Sequence, residues 1–99
     1  MRQFDIFRNP SESSRPFAPF VVAIQSHYIA LDTVLVAPLV NDKRATSVEI
    51  AVTVEGQSLV VALTEMGSVR VASLSGPVGN LTECEDDIRR ALDRLFTGF

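Results

Sequence analysis

Hydrophobic and polar positions follow two different periods along this chain, and the change of period divides it. Up to about residue 73, apolar residues alternate with polar ones or gather in short β-branched runs. From residue 82 they recur at helical spacing. Residues 3–7 read as a short strand, with Phe4 and Ile6 on one side of the pleat and Asp5 and Phe7 on the other. Residues 20–25 and 33–37 are apolar and β-branched, the pattern of strands covered on both faces. Residues 47–54 and 58–63 flank Glu55-Gly56-Gln57, a short hairpin turn. Residues 68–73 alternate, with Val69 and Val71 opposed to Arg70. Residues 9–19, with three prolines and three serines, and the polar residues 41–46 read as loops, and Ser75-Gly76-Pro77 breaks the chain before the helix.

The helical segment runs from Thr82 to about Phe96. Thr82 and Glu85 have the spacing of a capping box, in which each side chain satisfies the other's backbone N–H. Glu83, Glu85, Asp86 and Asp87 crowd the positive end of the helix dipole, while Arg89, Arg90 and Arg94 lie nearer the negative end. Glu85 can pair with Arg89, and Asp86 with Arg90, at i,i+4. Cys84, Ile88, Ala91, Leu92 and Leu95 form one apolar stripe. Gly98 stands where a helix end often needs a left-handed residue. The tripeptide Thr97-Gly98-Phe99 is expected to be a tail that either docks internally or is presented to a partner.

Five or six antiparallel strands and one helix predict a mainly β, α+β chain: a small curled sheet or partial barrel forming a single domain over residues 1–99. Such a sheet carries more apolar surface than one helix covers, and a homodimer is the expected remedy. An apolar fraction of 46% with 21% charged residues fits a folded, soluble domain. No apolar run reaches the roughly 20 residues of a membrane span. The N-terminus lacks a signal-peptide core, so a cytoplasmic protein is expected.

A net charge of −3 and a pI near 5.0 argue against direct nucleic-acid binding. With one cysteine, Cys84, and one histidine, His27, no internal disulfide or Cys/His metal site can form within the chain, and no metal or cofactor is expected. Glu85, Asp86 and Asp87 read as helix N-terminal charge rather than a Mg²⁺ site. Ser26 and His27 are a nucleophile and a base, but neighbours on a strand point to opposite faces and no third residue orients the histidine. The residues themselves single out no catalytic set.

Five strings nevertheless stand in register along the chain: Gln3-Phe4-Asp5-Ile6-Phe7, Val22-Ala23-Ile24-Gln25-Ser26, Val36-Ala37-Pro38-Leu39, Leu63-Thr64-Glu65-Met66-Gly67-Ser68-Val69, and Asp86-Asp87-Ile88-Arg89-Arg90-Ala91-Leu92 with Phe96-Thr97-Gly98-Phe99. In order and spacing they resemble CcdB, the toxin of a bacterial toxin–antitoxin module. The resemblance implies a curled antiparallel, SH3-like sheet with a small accessory sheet and a C-terminal helix. It also implies a two-fold homodimer that binds the A subunit of DNA gyrase and traps the gyrase–DNA cleavage complex. Such a protein is a non-catalytic topoisomerase inhibitor. A co-encoded antitoxin neutralises it and joins it in repressing the operon, so that operator DNA is reached only through the antitoxin.

Carried over by position, the gyrase-contacting end is Thr97, Gly98 and Phe99, with Asp93, Ser26, Tyr28, Gln3, Phe4, Phe7 and Glu85 in support. Thr97 stands where the family usually has tryptophan, Phe99 where it has an aliphatic residue, Phe7 for tyrosine and Asp93 for asparagine. Losing a stacking tryptophan costs about 2–4 kcal/mol, a factor of roughly 30 to 1,000 in affinity. Phe4 and Phe7 read equally well as core residues. Two other functions are consistent with the residues: an antitoxin-binding protein of this fold whose gyrase target has changed or been lost, and an mRNA endoribonuclease of the related toxin fold. The second needs a cationic stabiliser and a proton-transfer group at the scissile phosphate, and the acidic composition disfavours it.

Overall fold

The protein's structure, a computed structural model, describes residues 1–25, 32–41, 45–46 and 48–98. Among them, β1 (Asp5–Arg8), β2 (Phe20–Ala23), β3 (Thr33–Val40), β4 (Ile50–Val54), β5 (Gln57–Val61), β6 (Gly67–Arg70) and β7 (Gly79–Asn80) form one antiparallel sheet. Its order is β4-β5-β3-β2-β1-β7, and β6 branches from β3. The helix α1 spans Glu85–Thr97. Val52 and Val54, from one end of this order, share a single core cluster with Leu81, which follows β7 at the other end. A flat sheet would hold these residues several strand spacings apart. The sheet is therefore curled into a nearly closed, barrel-like shape with the helix packed against it.

Strand β3 runs on through Pro38 to Val40, beyond the boundary expected at residue 37. Thr33–Val36 pair with β6, whereas Leu39 and Val40 pair with β5. The Pro38 carbonyl accepts from the Ala62 N–H at 2.9 Å, so the nitrogen of Pro38 points to the same edge, at the gap between the two partners. A missing N–H costs nothing there. This branch is the form taken by the expected accessory sheet.

Alternation then sets the two faces. Ile6, Phe20, Val22, Ala37, Leu39 and Val61 enter the core beneath α1, where Ile88 and Ala91 meet them. Phe7, Val21, Ala23, Val34 and Val36 form a second cluster, against which Val69, Val71 and Leu74 pack. β2 is buried at all four positions, as its β-branched run predicts.

Several sequence-based boundaries move: β2 ends at Ala23 rather than residue 25, and β5 runs Gln57–Val61 rather than over residues 58–63. β1 begins at Asp5 rather than Gln3, because Phe4 has φ +68°. That left-handed backbone lets the Phe4 N–H reach the Ala23 carbonyl at 2.7 Å and its carbonyl receive the Leu81 N–H at 2.8 Å. β4 begins at Ile50 rather than residue 47. The run predicted over residues 68–73 is strand only to Arg70 and then turns into a single 3-10 turn at Val71–Ser73. β7 was not foreseen, since two residues after Gly76-Pro77 leave no periodicity to read.

Candidate functional site

The helix end is the first half of the site. Gly98 has φ +81° and its N–H closes on the Arg94 carbonyl at 3.0 Å, the left-handed cap expected from sequence. Thr97 is exposed, but its hydroxyl donates to the Asp93 carbonyl one turn back. Phe96, immediately before it, is 71% exposed. Leu92 and Leu95, by contrast, pack on the core together with Ile88 and Ala91, and Cys84 joins them from the turn before the helix. The apolar stripe is as predicted. Phe96 lies about 100° round the helix from Leu95 and so falls off it.

The second half lies at the other end of α1. Gln3, Phe4 and Glu85 line one small cavity of about 210 Å³ with Arg2 and Thr82. The Gln3 side-chain amide donates to the Ile24 carbonyl at 2.9 Å, and Glu85 pairs with Arg89 at 3.1 Å. The Arg89 guanidinium in turn sits 6.0 Å from the centroid of the Phe4 ring. Glu85, Arg89, Asp93 and Thr97 follow one another at i,i+4 and form a strip about 18 Å long.

The entry to the helix differs from the capping box the sequence suggested. A 3-10 turn at Thr82–Cys84 precedes α1, and Cys84, with no side-chain cap bond, occupies the N-cap. Thr82 is turned back instead. Its N–H reaches Asn80 Oδ1 at 2.7 Å and its hydroxyl bonds the same oxygen. The Asx interaction engages the hydroxyl that the capping box requires. Arg90 pairs with Asp87 at 3.6 Å rather than with Asp86, whose carbonyl its Nε reaches at 3.4 Å.

Two grooves run beside the helix. One, of about 590 Å³, fills the unclosed seam between β4–β5 and the residues around β7, with Val52, Leu59, Leu81 and Cys84 in its wall. Burial pushes the Cys84 thiol pKa up, and the charges of Asp87 and Glu83 add to the shift. The other, of about 360 Å³, brings Thr46, Glu49, Asp87, Arg90 and Arg94 together. Glu49 is buried and accepts the Thr46 hydroxyl at 2.9 Å.

The sequence-derived set is thus divided. Gln3, Phe4 and Glu85 come together at the start of the helix; Asp93, Thr97 and Gly98 at its end. Phe4 and Phe7 are core residues, only 2% and 3% exposed and on opposite faces of the sheet. Ser26, Tyr28 and Phe99, like His27, lie outside the described residues. Phe96, exposed beside the tripeptide, is not among the sequence-derived residues. Its signal was its absence from the stripe: a large aromatic in a helix whose other apolar residues all share one face.

The family described as CcdB protein matches residues 3–98 of the chain. No curated protein matches it closely in sequence. Among solved structures, an endoribonuclease in complex with its cognate antitoxin, from a mycobacterial species, superposes with a TM-score of 0.76 at 11% identity, covering 94% of this chain and 91% of that one. The Mycobacterium tuberculosis toxin MazF-mt6 superposes with a TM-score of 0.61 at 23% identity, covering 92% and 83% respectively. At these identities the likeness is one of fold.

Proposed function

This chain belongs to the CcdB family of toxin–antitoxin toxins, and from that premise we propose that it poisons DNA gyrase through the end of α1. The observation that carries this reading is the exposed helix end: Phe96, Thr97 and the Gly98 cap on a rigid helical mount. The protein acts by binding, holding the A subunit of gyrase in its complex with cleaved DNA, and performs no chemistry itself. Asp93, Glu85 and Gln3 supply polar contacts along the same helix, whereas Phe4 and Phe7 act from the core by holding the surface in place. The family resemblance supports a two-fold homodimer, neutralised by a co-encoded antitoxin that also brings it to operator DNA. Its place of action is the cytoplasm, where gyrase works.

The test is a gyrase cleavage assay with supercoiled plasmid, ATP and gyrase from the native host. The full-length protein is expected to yield linear DNA. A chain lacking Thr97, Gly98 and Phe99, which removes the cap as well as the tail, is expected to yield much less. No linear DNA from a folded full-length protein would sink the gyrase reading and leave an antitoxin-binding protein whose target has moved. Light scattering tests the dimer in the same preparation.

A second reading, mRNA cleavage, is favoured by one feature: the groove that places Glu49, a carboxylate, beside the guanidinium-bearing Arg90 and Arg94. Those are the residue types that proton transfer and phosphate stabilisation require. Asp87 pairs with Arg90 there, and with Glu49 it offsets both positive charges, so the gyrase reading is preferred. RNA fragments produced by the wild type and lost in Glu49→Gln would reverse that preference.

A further inference from the structure

We propose that the open edge of β4 takes up an extended segment of the antitoxin as a further strand, which fills the seam of the barrel. This rests on the antitoxin partner proposed above and is independent of the gyrase reading. β4 is the last strand of the sheet order and, among the described residues, pairs with β5 alone. The two-residue turn at Glu55-Gly56 makes Val54 and Gln57 a hydrogen-bonded pair, and the bonding alternates from there, through Val52 with Leu59 to Ile50 with Val61. The backbone N–H and C=O groups of Ala51 and Thr53 therefore point away from β5, along the free edge. Both residues are exposed. Natural edge strands are usually guarded by a lysine, a proline or a bulge. Residues 50–54 carry no charge and no proline, and their register with β5 is unbroken. An unguarded edge of this kind is a site for strand addition.

The groove beside the edge selects the occupant. Val52 and Leu59 form one side of it, and Leu81, Glu83 and Cys84 form the other. A lone strand fits between such walls. The β4 edge of a second folded copy would bring its own β5 and its own walls against them. Among the described residues that line the groove, Glu83 is the one charged side chain. The segment is therefore neutral or basic, with apolar side chains at the alternate positions that face Val52 and Leu81. A strand with no domain behind it comes from a chain that is extended before it binds. Of the proposed partners, gyrase is a folded enzyme and DNA carries no strand, which leaves the antitoxin.

Amide hydrogen exchange by NMR, on the protein alone and with the purified antitoxin of its own operon, reads the edge directly. In the protein alone, Ala51 and Thr53 are expected to exchange fast and Val52 and Val54 slowly. In the complex, exchange at Ala51 and Thr53 should slow by about tenfold or more. Antitoxin that binds and leaves both amides fast would overturn the proposal. Protection already present in the protein alone would also overturn it, and would put a second copy or the chain itself on the edge. Thr53→Pro removes an outward N–H and leaves the pairing with β5 in place. It should bind antitoxin about tenfold more weakly, whereas Thr53→Ala, which keeps the N–H, should stay within about threefold of wild type. Urea unfolding of both variants separates lost binding from lost structure. Binding by a folded Thr53→Pro as tight as wild type would sink the strand-addition model. If the antitoxin does not bind the wild type at all, the antitoxin partner is itself wrong and this inference falls with it.

Discussion

Asp5 and Asn80, 75 residues apart in sequence, are joined by a 2.8 Å hydrogen bond from Asn80 Nδ2 to Asp5 Oδ1. Asp5 is buried, and its other carboxylate oxygen accepts the Arg2 N–H at 2.8 Å. Asn80 also donates to the Gln3 carbonyl at 3.2 Å, and its Oδ1 holds Thr82 at the turn into α1. This pair therefore fixes where the helix leaves the sheet, and with it where the helix end points. Asp5→Ala and Asn80→Ala are each expected to cost about 1–3 kcal/mol, because each leaves a partly buried partner unsatisfied. The double variant should cost clearly less than the sum. Urea unfolding of the cycle checks this, and strict additivity would show that the two residues act independently.

Phe4→Ala and Phe7→Ala are expected to destabilise by about 3–5 kcal/mol each, since both rings are removed from packed clusters. That is a large share of the roughly 5–15 kcal/mol by which a domain is stable. On the proposed gyrase reading, any loss of poisoning should follow the unfolded fraction. A Phe7→Ala protein with unchanged stability and no poisoning would instead place the ring at the gyrase contact.

The β4–β5 hairpin turns on Glu55 and Gly56, with φ of +49° and +77°. Two successive positive values match the twist of a two-residue hairpin, in which asparagine is favoured at the first position. Glu55→Asn should stabilise the protein by about 0.5 kcal/mol, since asparagine tolerates the left-handed backbone better. A lower urea midpoint for Glu55→Asn would contradict this.

Gly98→Ala puts a β-carbon on a residue at φ +81° and is expected to cost about 1 kcal/mol locally. The helix end can fray without global unfolding, so the change should appear as faster amide hydrogen exchange around Arg94–Thr97 rather than as a large fall in Tm. On the proposed gyrase reading, poisoning should weaken with it, because the exposed helix end loses its rigid mount. Unaltered exchange would mean that the cap does not hold the helix end.

The raised pKa of Cys84 has a defined sign. Folding disfavours the thiolate, so the folded state retains its proton over a pH window in which the unfolded chain has lost it. The stability contributed by the neutral thiol is complete below the unfolded value of 9.0 and is lost as pH rises through the higher folded value. Cys84→Ala should flatten this part of the stability profile, as seen by urea unfolding between neutral and alkaline pH. The thiol should also be alkylated more slowly than an unhindered cysteine. A profile identical in Cys84→Ala would remove the thiol as its source.

The residue pattern by itself determined the local elements. Period-two alternation and β-branched runs marked six of the seven strands among the described residues, Glu55-Gly56 marked the hairpin, and the stripe from Cys84 to Leu95 with Gly98 marked the helix and its end. Five strings in register identified the family. Tertiary structure decided what depends on contacts between distant residues. Phe4 leaves the strand because a left-handed backbone satisfies Ala23 and Leu81 together. Pro38 stays in a strand because its missing N–H falls in the gap between β6 and β5. Thr82 abandons the capping box because Asn80, itself fixed by Asp5, holds its N–H and hydroxyl. Ile88 and Ala91 are buried whereas Leu92 and Leu95 of the same stripe are only partly so, a limit set by where the sheet lies beneath the helix rather than by the stripe itself. Periodicity is a property of neighbours along the chain, whereas hydrogen-bond competition and the edge of a core are properties of neighbours in space.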